Sequence, residues 1–244
     1  DLVWEHADGS SAIWLMNGAT LVSSGFLLGP GTGWSVKTLG DFNGDGNSDI
    51  VWQHTDGSTS VWQMNGLSLT AGAGWMGPGT GWSVKTVGDF NGDGKSDLVW
   101  EHADGSSAIW LMDGATLVSG GFLLGPGTGW SVKTTGDFNA DGKTDIVWQS
   151  TDGSSVIWLM DGISFVSGGG LLGPATGWSV NRVGDFNGDA KGDLVWEHAD
   201  GSSAIWLMNG ATLVSGGFLL GPGTGWSVKT TGDFNADGKT DIVW

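Results

Sequence analysis

Residues 88–97 read GDFNGDGKSD, with carboxylates at Asp89, Asp93 and Asp97 and a carboxamide at Asn91. Oxygen-bearing side chains at alternate positions, interrupted by glycines, have the make-up of a cage for a hard cation. Near-copies begin at Asp41, Asp89, Asp137, Asp185 and Asp233, always 48 residues apart and with no insertion between them. A fixed period of this length marks a repeat architecture, in which each copy is one supersecondary unit. Tryptophan keeps the same clock: Trp4, Trp14 and Trp34 are followed by Trp52, Trp62 and Trp82. The repeats 1–48, 49–96, 97–144, 145–192 and 193–240 are read as one domain spanning 1–244, and DIVW at 241–244 restates DLVW at 1–4.

Within one period the signals are those of strands and turns. GWSVKTVGDF (81–90) alternates, with Trp82, Val84 and Thr86 on one face and Ser83, Lys85 and Val87 on the other. After the acidic loop come DLVWEH (97–102), SSAIWLM (106–112) and ATLVSGGFLL (115–124), separated by the turns ADG and DG. Turn dipeptides every few residues disfavour helix. Four strands per 48-residue period predict an all-β chain, a β-propeller of five blades with four antiparallel strands each. A β-solenoid is the alternative. AIWLM is apolar on both strand faces, which suits blades stacked on both sides, and three Trp per period supply large buried area. The chain then begins at the second strand of a blade and ends after a first strand. Pairing of N- and C-terminal segments is expected to close the fold and remove two open edges. Leu2-Val3-Trp4 and Ile242-Val243-Trp244 compete for one position in that closure, so either one end frays or strands are exchanged between chains. A monomer is the expected state, a strand-exchanged oligomer the alternative. Copies 1, 3 and 5 share EHADGSSAIWLM while copies 2 and 4 differ, which leaves a larger, even-numbered parent array open.

Composition narrows the functions. There is no Cys among the 244 residues, so disulfides and thiolate metal sites are excluded. The formal net charge of −17 argues against nucleic acid or an anionic membrane surface as partner. No apolar run is long enough to span a bilayer. No signal peptide precedes DLVW, so a mature form, a designed chain or a piece of something longer is expected. The five loops hold 15 of the 26 acidic residues, leaving 11 acids against 9 Lys and Arg elsewhere. The acidity therefore belongs to the loops, which favours a metal reading over a solubility reading.

In the pattern D-x-N-x-D-G-x-x-D, side-chain oxygens at positions 1, 3, 5 and 9 and a carbonyl at position 7 offer only hard ligands. Calcium matches that set better than magnesium, zinc or copper. The glycine at position 6 permits a sharp turn. The loop opens like an EF-hand, but its last acid is at position 9 and strands flank it. Asx hydrogen bonding within a turn is the plain structural alternative.

VGDFNGDGKSDLVW, preceded by GWSVKT and followed by EHADGSSAIWLMDG, resembles the FG-GAP/VCBS-type repeat of bacterial secreted proteins, and the resemblance covers essentially the whole chain. It implies an integrin-like calcium-binding propeller, an extracellular or cell-surface location, and up to five calcium ions held where first and second strands meet. Carried onto this sequence, it implies ligands Asp41, Asn43, Asp45, Asp49 and the carbonyl of Asn47 in the first loop. The second takes Asp89, Asn91, Asp93, Asp97 and the carbonyl of Lys95. The third takes Asp137, Asn139, Asp141, Asp145 and the carbonyl of Lys143. The fourth takes Asp185, Asn187, Asp189, Asp193 and the carbonyl of Lys191. The fifth takes Asp233, Asn235, Asp237, Asp241 and the carbonyl of Lys239. Ala190 replaces glycine at position 6 of the fourth loop, and Asp241 has a rival in Asp1, so these two sites are expected to be the weakest.

Catalysis is not expected. Glu5, Glu101 and Glu197 alternate with Gln53 and Gln149, and His6, His54, His102 and His198 recur at one place, with Ser150 in the fourth copy. Near-identical copies supply no constellation of different groups. The expected function is a non-enzymatic binding or adhesion scaffold in which calcium is mainly structural. Glycans or another protein are the expected partners, because equivalent Trp-rich sites suit multivalent binding. The alternative is a structural or designed spacer of a larger adhesin. Trp75-Met76 in copy 2 stands where other copies carry Leu-Leu, so one edge is expected to differ there.

Overall fold

The computed structural model describes residues 1–244, all in strands, turns and loops without any helix. It divides into two compact units, one of residues 1–87 and 94–122, the other of 88–93 and 123–244.

In the first unit, β1 (Leu2–Glu5), β2 (Ser11–Asn17) and β3 (Thr20–Leu28) form a three-stranded sheet in sequence order. The next sheet is four-stranded: β4 (Trp34–Gly40), β5 (Asp49–His54), β6 (Thr59–Asn65) and β7 (Ser68–Met76). The third, also four-stranded, comprises β8 (Trp82–Gly88), β9 (Asp97–His102), β10 (Ser107–Asp113) and β11 (Thr116–Leu124), its last residues passing into the second unit.

The second unit contains the sheet β12 (Trp130–Gly136), β13 (Asp145–Ser150), β14 (Ser155–Asp161), β15 (Ser164–Leu172). It continues with β16 (Trp178–Gly184), β17 (Asp193–His198), β18 (Ser203–Asn209) and β19 (Thr212–Leu220), and ends on the pair β20 (Thr230–Gly232) and β21 (Asp241–Val243). Every described pairing is antiparallel between strands adjacent in sequence. Short turns permit no other order without a long crossover.

Two local features were not read from the sequence. The pairing of three first strands contains a bulge. In β4 the register against β5 shifts between Val36 and Thr38, and the same shift recurs at Val132/Thr134 and Val180/Arg182. The inserted residue, Lys37 in β4, leaves the ladder, while Trp34, Val36 and Thr38 stay half-buried and Ser35, Lys37 and Leu39 exposed. At the C-terminal end the pairing is local. Residues 230–232 pair with 241–243 across their own acidic loop, while β1 serves as an edge of the first sheet. Closing a short hairpin costs far less chain entropy than joining ends some 230 residues apart, so the local copy takes the place beside β20.

The core is apolar on the second and third strands. Ile50, Val51 and Trp52 of β5 and Leu98, Val99 and Trp100 of β9 are buried, as are the equivalent runs of β13 and β17. In the first three acidic loops the phenylalanine at position 2 is a plug, whereas Phe234 of the fifth is exposed. Phe42 is completely buried in a cluster with Leu98, Trp100 and Met112, and Phe138 is buried with Leu194, Trp196 and Met208. Each therefore packs into the sheet that follows its own loop, and burial of one such ring contributes about 2 kcal/mol. The N–H of Gly114 donates to the Phe42 carbonyl at 2.7 Å, and that of Gly210 to the Phe138 carbonyl at 2.7 Å, which pins the plugs.

Candidate metal-binding loops and aromatic pockets

The first loop shows how these residues fold locally. Asp41 turns inward: Oδ1 accepts the N–H groups of Gly44 at 2.7 Å and Asp45 at 3.2 Å, and Oδ2 accepts that of Gly46 at 2.8 Å. Asn43 Oδ1 accepts the same Asp45 N–H at 2.9 Å, and Asn43 Nδ2 donates to Asp45 Oδ2 at 3.1 Å. Asp45 Oδ1 in turn accepts the N–H of Asn47 at 2.8 Å. Side chains from positions 1, 3 and 5 are thus folded over one another.

Position 9 is different. Asp49 is buried, its Oδ2 accepting the Phe42 N–H at 3.0 Å and its Oδ1 the Met64 N–H at 2.9 Å. It joins the loop to the third strand of its sheet, a role that the sequence reading missed. The third loop repeats this with Asp137, Asn139, Asp141 and the buried Asp145, which accepts from Phe138 and Met160 at 2.9 Å each. Lys143 donates its N–H to Asp141 and extends its ammonium to Asp161 at 2.5 Å. The fourth loop does so with Asp185, Asn187, Asp189 and Asp193, the last accepting from Phe186 at 3.0 Å and Met208 at 2.8 Å. In the fifth, Asp233 accepts from Gly238 at 2.9 Å, Asn235 and Asp233 share the Asp237 N–H, Lys239 donates to Asp237, and Asp241 accepts from Phe234 at 3.1 Å.

The second loop is divided between the units. On one side Asp89 accepts from Gly92 at 2.7 Å, and Asn91 Nδ2 donates to Asp93 at 3.1 Å. On the other, Asp97 is buried and accepts the Met112 N–H at 2.8 Å, while Lys95 pairs with Asp113 at 2.6 Å. Asp1 and Asp241 each bond within their own unit. Asp1 Oδ1 accepts the Met16 N–H at 2.8 Å, the third-strand bond, and Asp241 keeps the bond to its own loop.

Consecutive loops are cross-linked. The N–H of Ser96 donates to the Asp41 carbonyl, Thr144 to Asp89, Gly192 to Asp137 and Thr240 to Asp185, all at 2.6 Å. Ala190 has φ 64°, the left-handed conformation expected at position 6. Position 4 also requires it: Ala140 has φ 59° and Ala236 φ 61°, at the places that Gly44, Gly92 and Gly188 fill in the other loops. The glycines at 44, 92 and 188 carried that signal in the sequence.

Electrostatically the two parts of a loop diverge. Desolvation pushes the carboxyls of Asp49, Asp145 and Asp193 up, Asp145 to about 6, against the lowering effect of their backbone hydrogen bonds and with a smaller contribution from the neighbouring carboxylates. Backbone N–H donors lower Asp45 and Asp233. As folded, no three acidic or His side chains form a ready cluster for a metal ion. The donors nevertheless fit a hard cation in kind: every side-chain ligand is an oxygen, and a carboxylate holding one N–H per oxygen keeps further lone pairs.

Three of the histidines bridge two turns. His54 Nε2 lies 3.1 Å from the Thr32 carbonyl and Nδ1 2.8 Å from Asp56, and His102 and His198 repeat the arrangement. Asp8, Asp56, Asp104 and Asp200 are held down to about 2 by serine hydrogen bonds in the same turns, with the His contributing.

The tryptophans form the core and, from it outward, the lining of two cavities. Trp52, Trp100, Trp148 and Trp196 are buried. Trp75 donates its indole N–H to the Ala115 carbonyl at 3.0 Å and packs on Phe42 and Trp100, so the variant edge of copy 2 is a packing contact. In the first unit a cavity of about 330 Å³ is lined by Met76, Trp82, Trp100, Ala108, Trp110, Leu117, Gly120, Gly121 and Phe122. In the second unit the residues 96 positions later line one of about 310 Å³: Leu172, Trp178, Trp196, Ala204, Trp206, Leu213, Gly216, Gly217 and Phe218. The sequence reading did not single out the phenylalanines.

Comparisons agree with this architecture. The WD40 domain of SCAP from fission yeast superposes with a TM-score of 0.53 at 14% identity, over 90% of this chain and 53% of that one. The C-terminal WD40 domain of Sif2 gives 0.47 at 17% identity over 87% and 67%, and BamB from Moraxella catarrhalis gives 0.38 at 13% over 99% and 95%. This chain thus spans about half the length of the SCAP domain, and that likeness places the fold among β-propellers. Among curated proteins no sequence match is found. Residues 41–100, 89–148, 137–196 and 185–244 each match the family model described as FG-GAP-like repeat. With four matches tiling residues 41–244, the chain belongs to the FG-GAP-like repeat family.

Proposed function

We propose that this chain is a non-enzymatic binding scaffold whose acidic loops are clipped by calcium, outside the cell or on its surface. The observation that carries the reading is the recurring loop. Oxygens of positions 1 and 3 share one N–H, position 5 folds onto them, and a 2.6 Å bond ties each loop to the next. In the loops that lie within one unit, Asp41, Asn43, Asp45 and Asp49, and their copies at 137–145, 185–193 and 233–241, are the residues to hold the ion. Calcium there neutralises carboxylates crowded within nine residues and holds the strands on either side. Its role is structural, since the loop joins first and second strands. Calorimetric titration of the chelated protein tests this: several ions per chain are expected, and a flat titration would remove calcium from the account.

The ligand class favoured for the scaffold is carbohydrate, because indole faces recur beside polar side chains and equivalent copies give avidity to weak sites. A glycan array with and without calcium tests it. Silence across broad sugar classes favours the second reading, a spacer within a larger adhesin.

A further inference from the structure

We propose that the pockets of Phe122 and Phe218, each lined by three tryptophans, are aromatic cages for a quaternary ammonium group; a third pocket, at Phe26, has two tryptophans and carries Glu5 and His6 besides. This goes beyond the calcium and carbohydrate readings and depends on neither.

In the first unit, rings come from four strands of one sheet. Trp82 and Phe122 have centroids 6.1 Å apart at 51°, and Trp100 and Trp110 are 4.9 Å apart at 56°. In the second unit Trp178 and Phe218 are 5.9 Å apart at 55°, and Trp196 and Trp206 4.9 Å at 54°. Rings set at such angles surround a rounded group; a sugar is better served by one flat platform. Phe122 is 77% and Phe218 78% exposed, an unusual outlay of apolar surface on rings that pack against a tryptophan at the mouth of a cavity. Glycine keeps the outer strand close to the cage: a Cβ on Gly120 would lie 3.0 Å from Trp110 and 3.1 Å from the Ile109 carbonyl, and one on Gly216 2.8 Å from Trp206.

The lining selects the ligand. None of the lining side chains carries a charge or a hydrogen-bond acceptor, and the indole N–H groups of Trp100 and Trp196 are sealed from solvent and unpartnered. A polyol or a primary ammonium entering there would lose hydrogen bonds to water without replacement. A methyl-shielded cation has no N–H to satisfy and is attracted by the ring faces. The net charge of −17 concentrates cations at the surface. Copies 2 and 4 carry Gly74 and Gly170 where Phe122 and Phe218 stand, so the sequence contains its own cage-deficient repeats.

The test titrates the intact chain with choline, with its neutral isostere 3,3-dimethylbutan-1-ol, and with methyl pyranosides, following tryptophan fluorescence and saturation transfer to the N-methyl protons. Choline is expected to saturate the signal, and the neutral isostere to bind about tenfold more weakly, the factor that a cation–π contribution of this kind supplies. The double variant Phe122→Ala/Phe218→Ala is expected to weaken choline by a similar factor while its melting temperature stays put, since both rings are exposed. No saturable choline signal, equal binding of choline and isostere, pyranoside binding without choline binding, or an unchanged affinity in the double variant each overturns the proposal.

Discussion

The first and fourth acidic loops share one hydrogen-bond skeleton and differ in what that skeleton must tolerate. Gly46 and Ala190 both donate to position 1, at 2.8 and 2.7 Å, so the path of the chain is set by the aspartate and not by the glycine. Ala190, however, holds φ 64° with a side chain attached. The next residue differs as well. Lys95 and Lys143 reach the acids Asp113 and Asp161, but the equivalent position in the following repeat is Asn209. Lys191 instead sits 3.9 Å from Asp189 of its own loop, placing a positive charge beside a carboxylate proposed as a calcium ligand. Asn47 brings no charge to the first loop. The comparison teaches that geometry is conferred by position 1 and position 9, while positions 6 and 7 adjust strain and charge.

The strongest way to break that view is to remove position 9. Asp49→Ala and Asp193→Ala each leave two backbone N–H groups without their acceptor, at a cost of about 3 kcal/mol apiece. Denaturant midpoints are expected to fall equally in the two variants. A clear inequality would show that the skeletons are not equivalent.

Acidity gives a second, smaller test, in chelator. A carboxyl raised on folding binds its proton more readily in the native state, so the stability it contributes is full below the ordinary carboxylate range and is lost as pH rises through the folded value. With Asp145 at about 6 and Asp49 and Asp193 also raised, the melting temperature in chelator should climb between pH 7 and pH 5. In calcium the trend should reverse, because protons then compete with the ion. The same direction in both conditions would separate these carboxylates from metal binding.

The smallest effect sharpens the contrast of position 6. Ala190→Gly should stabilise, and Gly46→Ala destabilise, by about 1 kcal/mol each. The space around a Cβ at Gly46 is empty, so only backbone strain is measured there.

Much of this was legible in the sequence because it is periodic. The 48-residue spacing, the strand order and the acidic positions are written in residue types whose local preferences agree with one another. What escaped depends on packing or on one extra residue. The bulge after Val36 shifts the pairing register without disturbing the alternation of Trp34, Val36 and Thr38, so it leaves no mark in the pattern of residue types. Asp49 resembles its exposed neighbours until the fold buries it against Met64. Leu2-Val3-Trp4 and Ile242-Val243-Trp244 are near-copies, so residue types alone do not decide which one pairs with 230–232, and the nearer one does so. Phe122 resembles a core residue in a strand, yet it lies exposed on the outermost strand of its sheet.

The central claim is that calcium clips the strands of each repeat together, and thermal melting with and without the ion tests it most directly. The account predicts that saturating calcium raises the melting temperature by several degrees over chelator, with most of the rise lost in Asp41→Ala/Asp137→Ala. An identical melting temperature in calcium and in chelator would contradict it and leave the loops as hydrogen-bonded turns.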